Sequence, residues 1–414
     1  MSFFIEVLFS RRMLVSLVMG FASGLPLLLT ISVLQAWMKD EGLDLSVIGL
    51  MALVGLPYTL KFLWAPLFDR FTLPFLGRRR GWLLIAQITL VVSIAGLGLT
   101  NPSNNPWLVA IAAFLVTFFS ASQDIVIDAY RREDLADEEL GLGSSIYVNG
   151  YRVAMLLASG GGLILADYTS FKIVYFTMAA CMSVGIVTTL LTPEPEVPAG
   201  TPKNLKEAVI DPFKEYFSRT GALWILAFIL FYKIGDTMAS TMTIPFYMDI
   251  GFSKTEIGAV VKLFGFWATI LGSLAGGIFM LRYGINRSLW VFGFLQAIST
   301  AGFAVLFYIG HNIPALGAVV AFENFSAGLG TSAFVAFMAS LTNKKFTATQ
   351  YALLSSLMGV PRVFASAPTG FMVEAMGWAS FFIFCVLIAI PGMLLLLKFA
   401  PWSREDKNGN SKIF

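Results

Sequence analysis

The stretch Gln123-Asp124-Ile125-Val126-Ile127-Asp128-Ala129-Tyr130-Arg131-Arg132 closes an apolar run that begins near Pro106. A carboxylate inside such a run is tolerated where it faces a protein interior or a water-filled cavity and meets a partner there. Asp124 and Asp128 are four apart and share one helical face, with Arg131 and Arg132 one turn beyond Asp128. This helix has a polar side suited to protons or anions rather than to lipid. Elsewhere Lys61, Arg152, Lys233, Lys262 and Arg362 stand inside apolar segments, as do Asp236 and Glu323. A guanidinium grips a carboxylate bidentately and an ammonium serves as a point charge, so the basic members suit an anionic solute. A desolvated carboxylate can exchange a proton near neutral pH. Glu323, with no basic residue within a turn of it, is the first candidate for that role, followed by Asp124, Asp236 and Asp128. The competing reading is mutual neutralisation: Lys233 and Asp236 are three apart and can pair, as can Asp128 with Arg131 or Arg132.

The elements that must hold these residues are membrane-spanning helices. The 414-residue chain is 57% hydrophobic and only 13% charged, too apolar for a soluble protein of this length. Its net charge of +3 says little about partners, and nothing in the pattern points to nucleic acid. Cys181 and Cys385 lie inside apolar segments without metal or redox spacing and read as packing residues, and His311 reads as a solvated loop residue. The first apolar segment is too long for a cleaved leader and lacks its small-residue site, so it is expected to stay as a span. Segments of about 20 residues, long enough to cross the hydrocarbon as helix, fall near 13–37, 46–66, 82–100, 106–130, 142–167, 171–191, 221–245, 255–281, 288–309, 314–340, 347–373 and 377–399. The expected fold class is an all-α polytopic membrane protein of twelve transmembrane helices.

The longest polar stretch, 192–220, carries Pro193, Pro195, Pro198 and Pro202 and then an amphipathic segment, and it reads as a tether between halves. The expected organisation is therefore 1–191, a six-helix bundle; 192–220, a cytoplasmic linker; and 221–414, a second six-helix bundle. With both termini in the cytoplasm, 20 of the 28 basic residues fall inside and only Lys39, Lys172 and Lys254 outside, as the positive-inside rule requires. An internal repeat supports the division. A shift of 210 residues lays Ser145, Arg152, Val153, Gly160, Ser170 and Phe171 on Ser355, Arg362, Val363, Gly370, Ser380 and Phe381. In the same repeat Gly330 falls opposite Asp124 and Phe334 opposite Asp128, so the acidic pair belongs to one half only.

The loop after the second span has Asp69-Arg70 and then Gly77-Arg78-Arg79-Arg80, with Ala65 four residues before the acid; the second half echoes it with Gly277, Arg282, Gly284 and Arg287. This resembles the Gly-x-x-x-Asp-Arg-x-Gly-Arg-Arg pattern of the major facilitator superfamily, interrupted by residues 72–76, with Ala65 for its first glycine and Leu281 for the second acid. An acid at the end of a span can accept N–H bonds from a neighbouring helix start and pair with arginine, so these residues are expected to latch the cytoplasmic side. More specific blocks follow. Ser23-Gly24-Leu25-Pro26, Leu34-Gln35-Ala36-Trp37, Pro57-Tyr58-Thr59-Leu60-Lys61-Phe62-Leu63-Trp64-Ala65-Pro66, Gly77 to Trp82, Ser122 to Tyr130 and Gly150-Tyr151-Arg152 resemble the signature blocks of the AmpG-type muropeptide permeases. The resemblance covers nearly the whole chain, although some members carry two further spans at the C-terminus.

That resemblance implies a bacterial inner-membrane importer of anhydro-muropeptides, driven by the proton gradient without a cofactor. It would serve peptidoglycan recycling and, in some bacteria, β-lactamase induction. The expected partners are the muropeptide, protons and the bilayer, with the chain acting as a monomer. By rise along each helix, Arg152, Lys233, Lys262 and Glu323 lie roughly 12–18 Å into their spans, near the midplane, whereas Asp124 lies roughly 27 Å from Pro106, toward the inner gate. Arg152, Lys233, Lys262 and Lys61 are expected to hold peptide carboxylates. Gln35, Gln123, Asn149, Tyr151 and Asn324 are expected to meet sugar hydroxyls and amides. No zinc-type spacing or nucleophile constellation suggests an enzyme. The alternatives are a carrier of a peptide, an amino sugar or an acetyl-CoA-like thioester, since the same blocks also resemble the acetyl-CoA transporters, or a transporter-derived sensor.

Overall fold

A computed structural model describes residues 10–43, 47, 51–196, 204–219, 221–253, 256–359, 365, 368–400 and 402. The described residues form helices and connecting loops, with no strand among them. Among the described residues, nine helices are long and apolar enough to cross a membrane: Arg11–Asp40, Arg80–Gly98, Pro106–Asp134, Leu140–Tyr168, Phe171–Leu191, Ala222–Asp249, Ala259–Ile309, Ile313–Leu341 and Trp378–Lys398. The 51-residue member would measure roughly 75 Å at 1.5 Å per residue, more than twice the hydrocarbon thickness. It is two spans, the eighth and ninth, joined at Gly284, whose φ of 79° takes the backbone out of the helix.

The other two of the twelve expected spans are broken helices. The second consists of a 3-10 turn Met51–Gly55, a helix Leu56–Leu60, a 3-10 turn Lys61–Leu63 and a helix Ala65–Arg70. Pro57 and Pro66 each open a new piece, because proline has no N–H to give to the preceding turn. The eleventh is formed by Thr347–Leu357 and Thr369–Met376; Arg362, expected between them, lies outside the described residues. The fourth span starts at an N-cap, Asn105, whose side chain accepts the Leu108 N–H at 3.1 Å with Pro106 following. It runs on to Asp134, beyond the 106–130 read from hydropathy, because its last turn is polar yet still helical. The linker contains a helix of its own, Leu205–Ser218.

The chain forms two compact units. One comprises 1–136, 146–215 and 341–356; the other comprises 137–145, 216–340 and 357–414. The first is cored by Leu25, Trp37, Ile94, Val116, Tyr175 and Met182, and the second by Phe246, Phe303, Leu316, Phe381, Phe382 and Cys385. Both cysteines are unbridged, Cys385 inside its core and Cys181 packed against the other. In the first unit Gly24 of the first span lies so close to the fifth that a Cβ would overlap the Tyr151 carbonyl. That approach brings Ser23 to Tyr147, 2.9 Å between hydroxyls. Gly24→Val should force the two spans apart and cost about 3 kcal/mol. A lowered unfolding midpoint in detergent, with Gly96→Val, at an open position, as the tolerated control, would register it.

Candidate functional site

Three groups of buried polar side chains emerge. In the first unit, Asp124 accepts a hydrogen bond from the Ser23 hydroxyl. One turn on, Asp128 meets Lys61 at 3.9 Å and Arg131 at 3.4 Å. The Arg131 guanidinium also donates to the Tyr351 hydroxyl at 3.1 Å and stacks 4.7 Å from the centre of the Tyr147 ring. Lys61, Asp124 and Asp128 are each less than 10% exposed, so neither acid faces lipid. The four-residue spacing put the acids on one face, and the 3-10 turn after Pro57 turns Lys61 toward it. Asp124 is ten residues short of the helix end, roughly 15 Å, which is deeper than a span ending at residue 130 would make it. Beside it, Gln123 is buried and donates to the Ala22 carbonyl at 3.0 Å, leaving its Oε1 without a partner among the described residues. Asn149, 5% exposed on the fifth span, has neither amide atom satisfied among the described residues. Gln35, Tyr151 and Arg152 are half-buried.

The second unit holds the other acid–base group. Lys233 pairs with Asp236 at 3.3 Å and donates to the Thr331 hydroxyl at 2.9 Å. Glu323 accepts from Ser299 at 2.6 Å, and the charges that act on it are Asp236 and Lys233. The seventh span thus supplies the cation that Glu323 lacks on its own helix. The tenth span places Asn324 next to it, but that amide is occupied: Thr269 donates to it at 3.0 Å and it donates to the Val320 carbonyl at 3.0 Å. Lys262 belongs to a π-helical stretch, Ile257–Phe264, and its side chain lies outside the described residues.

The third group is built around Asp69, 2% exposed in the first unit. Its Oδ1 accepts from Arg78 at 3.1 Å and Arg79 at 2.9 Å. Its Oδ2 accepts from the Thr349 N–H at 2.8 Å and the Thr349 hydroxyl at 2.7 Å. The carboxylate therefore caps the start of helix Thr347–Leu357, where the helix dipole favours negative charge. Arg79 also grips Glu133 through two bonds, 2.6 and 2.9 Å. Burial alone would lower the pKa of the Arg79 guanidinium, and the carboxylates of Glu133 and Asp69 reverse this and raise it. Glu194 accepts the Arg79 and Arg80 N–H groups at 2.6 and 3.0 Å, and Arg80 donates to the carbonyls of Thr189 and Leu190 at the end of the sixth span. Gly77, at φ 87°, makes the turn. Arg70 stays outside this group and stacks on Phe71.

The family model of the major facilitator superfamily matches residues 13–366 and 234–413. The anhydromuropeptide permease of Escherichia coli K12 is 46% identical over 95% of this chain and 81% of the permease. The chain belongs to the AmpG-type muropeptide permease family of that superfamily. An uncharacterized protein of Haemophilus influenzae is 44% identical over 98% of both chains. Among solved structures, the proton:xylose symporter XylE aligns with a TM-score of 0.73 over 94% of this chain and 95% of its own, at 11% identity, a likeness of fold. For this AmpG-type chain, sequence reasoning overlooked Ser23, Tyr147, Glu133, Glu194, Thr331, Thr349 and Ser299. Ser23 had a signal, its place in the Ser-Gly-Leu-Pro block. The others become visible only as neighbours in space.

Asp69→Asn leaves Arg78 and Arg79 facing a neutral amide in a buried setting, a loss on the order of 3–5 kcal/mol, to be read as a lower unfolding midpoint than for Asp40→Asn on the exposed end of the first span. At the start of the eighth span, Glu256 accepts the Ser253 N–H and hydroxyl, both 2.8 Å, and touches His311 at 3.2 Å. These bonds, led by the Ser253 N–H, lower its pKa below the usual value of 4.5. Its stabilisation is therefore full above pH 4.5 and fades as pH falls through the lower folded-state value. The difference in unfolding midpoint between wild type and Glu256→Gln should shrink as pH falls below 4.5.

Proposed function

We propose that the chain imports anhydro-muropeptides across the bacterial inner membrane, coupled to inward proton movement. The observation that carries the coupling is the Lys233–Asp236–Glu323 group. Lys233 lies within the field of a carboxylate that can be charged or neutral, so the proton on Glu323 and an anion at Lys233 influence one another. With Glu323 ionised, Lys233 is held by acidic neighbours. With Glu323 protonated, the ammonium has one fewer competitor and is better able to take a substrate carboxylate.

Substrate class is supported by the 46% identity to a permease named for anhydromuropeptide and by the side chains available in the first unit. Asn149 and the Gln123 carbonyl have unused hydrogen-bonding capacity, which suits sugar hydroxyls and acetamides, while the half-buried Arg152 suits a peptide carboxylate. Gln35 and Tyr151 complete that polar set. Asp124 and Asp128, with Lys61, form a second proton-responsive pair. In this reading the Asp69 group is a cytoplasmic latch that opens and recloses once per cycle at its Thr349 contacts, while Arg79 keeps its carboxylates. Both termini face the cytoplasm, 1–191 and 221–414 act as the moving halves joined by 192–220, and the working form is a monomer driven by the proton gradient alone.

The test is uptake of labelled GlcNAc-anhydroMurNAc peptide into proteoliposomes, with and without an imposed pH gradient. Wild type should accumulate substrate only with the interior alkaline. Glu323→Gln should lose at least about tenfold in gradient-driven uptake, roughly 1.4 kcal/mol of coupling or more, while still exchanging substrate across the membrane at equilibrium. Wild-type uptake indifferent to the gradient would remove the symport mechanism, and binding without any uptake would point to a sensor.

A further inference from the structure

An apolar groove of about 680 Å³ opens on the outer surface of the second unit, along the ninth and twelfth spans. Its walls include Trp290, Phe294, Ala301, Val386, Met393 and Trp402. Phe294 is 63% exposed, which marks this as a lipid-facing surface rather than a core defect. From Trp290 to Ala301 is eleven residues, roughly 16 Å of helix, close to half the hydrocarbon thickness. The groove is therefore one leaflet deep, the reach of a single acyl chain.

One end of the groove differs in chemistry from the rest. Two indoles close it, and each is tied down: Trp290 donates to the Ala400 carbonyl at 2.8 Å, and Arg287 donates to the Trp402 carbonyl at 3.2 Å. The Arg287 guanidinium stacks 5.9 Å from the centre of the Trp402 ring, so a fixed positive charge stands beside the mouth of an otherwise apolar slot. Indoles collect at the headgroup level of a bilayer, and guanidinium binds phosphate bidentately. A slot one leaflet long with indoles and a cation at its interfacial end is complementary to one amphiphile with an anionic head. A second copy of this chain would need an apolar ridge to fill the slot and would have no use for the cation.

We propose that this groove is a binding site for one anionic phospholipid, with an acyl chain along Phe294, Ala301 and Met393 and its phosphate at Arg287. The proposal is independent of the transport reading. Native mass spectrometry of the detergent-purified protein, titrated with phosphatidylglycerol or phosphatidylethanolamine of the same chains, tests it. Wild type should retain the first at least about fivefold over the second at low salt, with the preference declining as salt rises. Arg287→Gln should bring the ratio to one, and Arg287→Lys should restore most of it. Ala301→Phe, which fills the deep end, should reduce retention of both lipids while leaving the unfolding midpoint without added lipid unchanged. Equal retention of the two lipids by wild type, an Arg287→Gln preference as strong as wild type's, or dimers that Ala301→Phe abolishes would each overturn the assignment.

Discussion

The structure depends on the cost of placing an ionised carboxylate in a medium that cannot solvate it. Within the described residues each acid that lies deep in a span is given a hydroxyl or a cation: Ser23 for Asp124, Lys61 and Arg131 for Asp128, Lys233 for Asp236, Ser299 for Glu323. The partners come from other helices in most of these cases, so the spans cannot slide or rotate independently. Close approaches such as that of Gly24 to the Tyr151 carbonyl hold the first and fifth spans together beside the Ser23–Tyr147 hydroxyl bond.

The groups differ in how much freedom they leave. Around Asp69 nearly every lone pair is taken by an arginine or by the start of a helix, which is the condition of a structural clasp. Its arginine partners are held in turn by Glu133, and Glu194 ties the same loop to the beginning of the linker. The group of Lys233, Asp236 and Glu323 is smaller and more open, with Lys233 and Asp236 about one-sixth to one-fifth exposed at their side chains. A cation with two modest partners can exchange one for a ligand, whereas Arg79 cannot leave its carboxylates without exposing them. The same logic separates Asn324, whose amide is spent within the protein, from Asn149, whose amide is not.

Broken helices add a second constraint. The second span is cut at Pro57 and Pro66, and π-helical turns interrupt the first, fifth and eighth at Leu29–Val33, Leu157–Gly161 and Ile257–Phe264. Each interruption shifts the register of the side chains after it, which is how Lys61 comes to point at Asp128 from a span whose hydropathy alone would place it anywhere on the circumference. Such irregular backbone is tolerated in a bilayer where neighbouring helices or a polar interior take up the freed groups.

By itself the sequence determined the number of spans, the break between 191 and 221 as a polar stretch, and the family, because hydropathy over 20 residues and contiguous signature blocks are local properties. It also placed Asp124 and Asp128 on one face and paired Lys233 with Asp236, since helical spacing alone decides contacts three and four residues apart. Only the tertiary structure decided that Lys233 acts on Glu323, that Asp69 caps the helix beginning at Thr347, and that Glu194 and Glu133 belong to the same clasp. Those partners are separated by tens to hundreds of residues, and no periodicity links them. Their choice is made by how the helices pack, through close backbone approaches and proline breaks whose consequences appear only when the spans are brought together.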